Sequence, residues 1–123
     1  MCVAAYTMQG ARRFDSNYAH YTDVAAPGDA IPSSDMFGFN SSNDRLGYYD
    51  GVVHFDFGGT SAAAAHVSAV AALLTTRWPN DYPVSIKNRL MRCGVKDWPQ
   101  GEDDLADFPR LHAYNALEGI FPD

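Results

Sequence analysis

Apolar and polar positions change period several times along these 123 residues, and each change marks an element. Residues 2 to 7 form a short apolar run stopped by Gln9-Gly10, and Tyr21 to Ala26 form a second, stopped by Pro27-Gly28. Runs this short, bounded by turn residues, predict buried strands of the kind found in parallel sheets. From Ile31 to Gly51 the chain turns to Ser, Asn, Asp and Gly with scattered aromatics, and turn pairs fall at Asn43-Asp44 and Asp50-Gly51. An irregular surface segment is expected there, of the sort that often borders a cleft. Val52 to Phe57 then returns to a period of two, with Val53, Phe55 and Phe57 on one face and Val52, His54 and Asp56 on the other, which predicts a half-buried strand.

The next stretch, Ser61 to Arg77, has helical periodicity: Val67, Val70, Ala71 and Leu74 fall at i, i+3, i+4 and i+7. At ~1.5 Å per residue it would be roughly 25 Å long, with Thr60 as the expected N-cap. Its alanines leave almost no polar face, so burial on most sides is expected. Trp78-Pro79 ends it. A second, amphipathic helix is predicted from Val84 to Cys93, with Ile86, Leu90 and Cys93 inward, Lys87 and Arg92 outward, and Gly94 as its stop. Residues 97 to 109, with Gly101-Glu102-Asp103-Asp104 and two prolines, suit a solvated acidic loop. A short strand near Arg110 to His112 and a last helix from Ala113 follow.

Composition narrows the function classes. Hydrophobic residues make up 46% and charged residues 20%, a globular balance, and the length suits one domain or part of one. No apolar run approaches the ~18 residues of a membrane span, so no membrane partner is expected. The net charge of -6, from 15 acids against 9 bases with no basic stripe, argues against nucleic acid as a partner. Cys2 and Cys93 form neither a metal-ligand spacing nor a disulfide framework. The first residues lack the parts of a secretory signal and enter a strand directly, so the chain is expected to start inside a fold. Zinc, nucleotide and calcium-loop motifs are missing, Glu102-Asp103-Asp104 included, and no cofactor or metal is expected.

The candidate chemistry lies in Phe57-Gly58-Gly59-Thr60-Ser61-Ala62-Ala63-Ala64-Ala65-His66-Val67. A hydroxyl at a helix N-terminus has unpaired amides and the positive end of the dipole beside it, conditions a nucleophilic serine can use. Taken alone, Gly-Gly-Thr-Ser could equally cap an alanine-rich helix. Two further segments add context: Asp23-Val24-Ala25-Ala26-Pro27-Gly28 upstream, and Arg110-Leu111-His112-Ala113-Tyr114-Asn115-Ala116-Leu117 downstream. In this order the three segments resemble the D-V-x-A-P-G, G-T-S-x-A-x-P-H-V and G-x-x-N-A-x-x-A-L motifs of the subtilisin-like serine proteases. The resemblance covers only the C-terminal part of that family's catalytic domain, here residues 1 to 123. It implies a three-layer α/β fold with a mostly parallel sheet lacking its N-terminal portion. It also implies Ser61 as catalytic nucleophile and a peptide or protein substrate.

The sequence departs from the family pattern at several places. Ala62 stands where the family commonly has Met, Ala65 where it has Pro, and Pro109 and His112 where it has Gly and Asn. Alanine at position 65 is a better helix former than proline, and the smaller Ala62 reduces bulk beside the serine. The D-[TS]-G and H-G-T-H motifs that carry the family's aspartate and histidine do not occur in these 123 residues, nor does its oxyanion asparagine. The resemblance therefore implies that an N-terminal region or a second chain supplies them. It likewise implies, by family habit, an extracellular or vacuolar site.

Other candidates carry less. His54 and Asp56 share a strand face just before Ser61, but side chains two apart on a strand stand parallel, about 7 Å apart, so His54 is expected to be non-catalytic. His66 lies about 140° around the helix from Ser61 and, by family resemblance, is a buried, hydrogen-bonded packing residue. Asp23 matches an aspartate beside a weak cation site in some relatives, but Tyr21 replaces its acidic partner. A G-x-S-x-G nucleophile elbow fails because Ala63 stands where its last glycine belongs. Two functions remain: a serine endopeptidase fragment using Ser61, or a non-catalytic subtilase-derived binding module. On either, a chain missing the strands that complete the sheet is expected to expose apolar surface and associate.

Overall fold

The computed structural model describes residues 1–34, 53–98 and 108–122, with the side chains of Ser34 and residues 53–56 outside the description. Strands β1 (Val3–Tyr6) and β2 (Val24–Pro27) pair in parallel, Val3 opposite Val24 and Tyr6 opposite Pro27. Both are built from small residues: Ala4, Ala5, Val24, Ala25 and Ala26 are fully buried, which lets a helix lie close against the sheet. The second strand starts later than the apolar pattern suggests. Thr22 and Ala19 close a turn, Thr22 N–H to the Ala19 carbonyl at 2.8 Å and Ala19 N–H to Thr22 Oγ1 at 3.0 Å, which holds Tyr21 and Thr22 out of the strand.

On one side of β1 the chain turns back on itself. Arg13 N–H donates to the Ala5 carbonyl at 3.0 Å, and Ala5 N–H donates to Ser16 Oγ at 2.8 Å. The Ser16 hydroxyl in turn donates to the Asn17 carbonyl at 3.1 Å, so this buried serine stands in for a strand residue and satisfies the edge. Beyond β2 the sheet continues by one residue pair at a time. Ala25 N–H donates to the Pro109 carbonyl and Leu111 N–H to the Ala25 carbonyl, and Arg110 bridges in turn to Val95. The strand expected over Arg110 to His112 is therefore a pair of isolated bridges, because Pro109 has no N–H to extend a ladder.

β3 (Ile31–Ser34) and β4 (Val53–Phe57) form a separate antiparallel pair. This corrects the irregular reading of the segment from Ile31. Its first four residues lack an apolar alternation, and it is pairing with a strand some twenty positions away that extends them. The register slips between Ile31 and Ser33, at Pro32, the residue that cannot donate to its neighbour. The turn pairs at Asn43-Asp44 and Asp50-Gly51 and the acidic stretch Glu102-Asp103-Asp104 lie outside the described residues.

Helix α1 (Thr60–Arg77) packs one face on β1 and β2 and meets α2 (Pro83–Arg92) and α3 (Ala113–Glu118). Ala63, Val67, Val70 and Leu74 join Ala5, Val24, Ala26, Ile86, Leu90, Cys93 and Ala116 in a single core. α1 ends where Trp78 N–H caps the Leu74 carbonyl at 2.7 Å, ahead of Pro79. α2 starts on Pro83, whose missing N–H costs nothing at a first helical position. Gly94 follows α2 for a reason other than a left-handed turn: a Cβ there would stand 2.5 Å from Pro109 Cβ and 2.7 Å from the Arg110 carbonyl.

The expectation that α1 is buried on most sides is overturned within this chain. Ala64, Ala65, Ser68, Ala69, Ala72 and Leu73 are exposed. The Ser68, Thr75 and Thr76 hydroxyls donate back to the carbonyls of Ala64, Ala71 and Ala72 at 2.9, 2.9 and 3.1 Å, so this face satisfies its own polar groups along the helix. No helix among the described residues is long and apolar enough to cross a membrane.

Candidate active site

The start of α1 is set by a glycine. Gly59 adopts φ 92° and ψ -176°, a backbone state essentially closed to other residues, although a Cβ there would meet nothing within 4 Å. Its conformation, rather than its size, is what requires glycine. That kink starts the helix one residue early, so Gly59 is the N-cap and Thr60 the first helical residue, with no side-chain cap. The expected Thr60 cap is corrected accordingly. Ser61 occupies the second helical position and is exposed. The first helical bond runs from Ala63 N–H to the Gly59 carbonyl at 3.2 Å, leaving the amides of Thr60, Ser61 and Ala62 ahead of it at the positive end of the helix.

Two more glycines are needed for space. A Cβ at Gly28 would lie 2.5 Å from Ala5 Cβ and 2.7 Å from the Gly59 carbonyl oxygen, and one at Gly58 would overlap the Arg13 guanidinium. Gly28 follows β2, so the end of the sheet abuts the residues that lead into Ser61. Gly59 N–H donates to the Gly28 carbonyl at 2.6 Å, and Gly28 N–H to the Tyr6 carbonyl at 3.0 Å. Arg13 Nη1 donates to the same Gly28 carbonyl at 2.9 Å and pairs with Asp29 at 3.3 Å, while its Nε meets Asp15 at 2.7 Å. Sequence reasoning missed Arg13, because nothing in Ala11-Arg12-Arg13-Phe14 marks it off from a surface loop.

The histidines have separate fates. His66 is half-buried rather than buried, and its Nδ1 sits 2.9 Å from the Ala62 carbonyl. A carbonyl only accepts, so Nδ1 carries the proton and donates. His112 is the N-cap of α3, its Nδ1 accepting from Asn115 N–H at 3.2 Å, the capping task that asparagine also performs well. His20 lies against Tyr21, ring centroids 5.2 Å apart. The side chains of His54 and Asp56 lie outside the described residues. Among the described residues, Ser61 Oγ has no hydrogen-bond partner.

Asp23 is held by Lys87, Nζ to Oδ1 at 2.7 Å, and by the Cys2 amide at 2.8 Å. Burial pushes this carboxyl up, but the hydrogen bonds from Lys87 and Cys2 and the Lys87 charge outweigh it and leave it below its ordinary value. No group of three His, Cys, Asp or Glu among the described residues could hold a metal ion. Both cysteines are free; burial pushes the Cys93 thiol up, against the charges of Arg89 and Arg92. Ala62 is fully buried and Ala65 exposed. Beside Thr60 opens a cleft of about 460 Å³, lined also by Cys2, Val3, Asn17, Tyr18, Tyr21 and Thr22.

At the C-terminal end of β1, Tyr6 packs edge-on against Trp98 with centroids 5.9 Å apart, and the Arg110 guanidinium lies 5.7 and 5.5 Å from the two rings. Arg110 also pairs with Asp97 and, as the main cause, its hydrogen bond holds that carboxyl below its usual range.

Fervidolysin from Fervidobacterium pennivorans is 29% identical over 103 residues, which is 80% of this chain and 15% of that protein. A thermostable alkaline protease from Halalkalibacterium halodurans is 31% identical over 90 residues, 73% of this chain and 21% of the relative. Among solved structures, a protease from Pseudoalteromonas arctica superposes with a TM-score of 0.72 at 26% identity, covering 96% of this chain and 35% of the other. The fervidolysin crystal structure matches with a TM-score of 0.68. The chain thus spans a quarter or less of the length of these sequence relatives. The fold is the α/β architecture of subtilisin-like proteases, and since the Subtilase family model matches residues 1–108, the chain belongs to the subtilase family.

Proposed function

We propose that residues 1–123 are the C-terminal part of a subtilase catalytic domain and carry the nucleophile of a serine endopeptidase at Ser61. One observation carries this reading: an exposed serine at the second position of a long helix, on a turn whose glycines are required by conformation and by space. In the reaction, Ser61 Oγ attacks the peptide carbonyl and gives its proton to a histidine held outside these residues. That histidine returns the proton to the departing amine, and water then releases the acyl group and restores Ser61 Oγ–H. The Ser61 amide, unpaired within the helix, faces the developing oxyanion as one donor, and a second comes from elsewhere. Substrates are peptides or proteins, and the cleft beside Thr60 supports an approach along Cys2 and Val3.

A second reading is a non-catalytic subtilase-derived binding module. It is favoured by the lack of D-[TS]-G and H-G-T-H motifs in these residues, since a triad acts as a unit and serine without its base is a weak nucleophile. The two readings separate on the polypeptide purified from its source. Its intact mass is measured, and it is treated with a fluorophosphonate, which forms an O–P bond to an activated serine and releases fluoride. The protease reading expects a mass well above 13.5 kDa and labelling on the Ser61 peptide that falls at least about 1,000-fold in Ser61→Ala. An unlabelled protein of 13.5 kDa would leave the binding module.

A further inference from the structure

We propose that Arg13 is a positioning residue for Ser61, acting through the Gly28 carbonyl. This rests on the reading of Ser61 as nucleophile. The Gly28 oxygen accepts two hydrogen bonds, from Arg13 Nη1 at 2.9 Å and from Gly59 N–H at 2.6 Å. Gly59 is the residue whose positive-φ, extended backbone starts α1, so whatever fixes its amide fixes the direction in which the serine leaves the turn. Arg13 is itself fixed at both ends. Its backbone amide donates to the Ala5 carbonyl of β1 at 3.0 Å, and its guanidinium is divided between Asp15 and Asp29, at 2.7 and 3.3 Å.

The side chain is 18% exposed, and its head fills the volume that a Cβ on Gly58 would occupy. Arg13 therefore ties three separate pieces together: the end of β1, the turn after β2 and the loop entering α1. A planar fork with several donors suits this, because one head must reach a carbonyl and two carboxylates in fixed directions. Lysine at the same place could reach the Gly28 oxygen but could not hold both carboxylates as well. Misplacing a nucleophile by about 1 Å can cost on the order of 100-fold in rate, so a residue that never touches substrate can govern acylation.

The test uses the full polypeptide as its source makes it, with Arg13→Ala, Arg13→Lys, Ser61→Ala and Lys87→Met. Lys87→Met breaks a surface ion pair away from the turn and controls for general destabilisation. Two quantities are read: the rate constant and half-saturation of fluorophosphonate labelling, and hydrogen exchange of the Gly59 amide. Arg13→Ala is expected to lower the maximal labelling rate by about 10- to 100-fold at unchanged half-saturation, and to speed Gly59 exchange by about tenfold. Arg13→Lys should fall between, added guanidinium should partly restore Arg13→Ala, and Lys87→Met should match the parent in both readouts. If Arg13→Ala keeps the parent's Gly59 protection, or loses labelling only as much as Lys87→Met does, the positioning role is wrong. If Ser61→Ala labels like the parent, or the parent does not label, the nucleophile reading fails, and the exchange data alone then decide whether Arg13 holds the turn.

Discussion

Asp23 shows how much one side chain can be asked to do at the edge of a sheet. It accepts from the Cys2 amide beside β1 and from Lys87 on α2, tying a strand to a helix across the outside of the core. Because its carboxyl titrates below its ordinary value in the folded chain, the folded state binds this proton less readily than the unfolded state, whose value is about 3.9. Its contribution is therefore complete above that unfolded value and disappears as pH falls through the folded one. Asp97, also lowered by Arg110, has a side chain 68% exposed and contributes little through a screened surface pair. Urea unfolding followed from pH 6 to pH 2 should show a shallower acid loss in Asp23→Asn than in the parent. Identical acid limbs would show that the Lys87 pair plays no part in stability.

At the scale of elements, the junction between β2 and α1 concentrates the constraints. Ala5, Gly28 and Gly59 meet at distances that leave no room for a Cβ on Gly28, while Gly59 needs its conformation and has room to spare. The two glycines therefore fail differently. Gly59→Ala is expected to cost about 1 to 3 kcal/mol in denaturant unfolding through backbone strain alone, with the core unchanged. A cost below about 0.5 kcal/mol would mean that the turn relaxes and that Gly59 does not define the start of the helix. Helix α1 itself was legible from the spacing of Val67, Val70 and Leu74. The strand at Ile31–Ser34 was not, because Ile-Pro-Ser-Ser has no alternation and becomes extended only against residues 53–57.

For the whole molecule, the core is one-sided. Ala63, Val67, Val70 and Leu74 turn toward the sheet, α2 and α3, while Ala65, Ala69, Ala72 and Leu73 remain on the open face. Their hydroxyl neighbours are already bonded within the helix, so the face has apolar surface without a requirement for water. The isolated 123-residue chain should bind a hydrophobic dye and associate as its concentration rises, and Leu73→Glu with Ala69→Lys should reduce both without loss of helix content. A monomer that binds no dye and unfolds in one sharp transition would show that the open face is not a liability in this chain.

Local order was written in the chain. The segments around Asp23 and Ser61 lie within the residues that the Subtilase family model matches, and the period of three to four places Val67, Val70 and Leu74 on the inner face, because motif spacing and side-chain direction along a helix are local properties. The capping residue of α1, the single-residue bridging at Arg110 and the exposure of the outer alanines were decided only by tertiary structure. So was Arg13, an ordinary loop residue by sequence. A guanidinium acquires its task from a carbonyl 15 positions away and a turn that meets both, and such a convergence exists only once β1, β2 and α1 have packed.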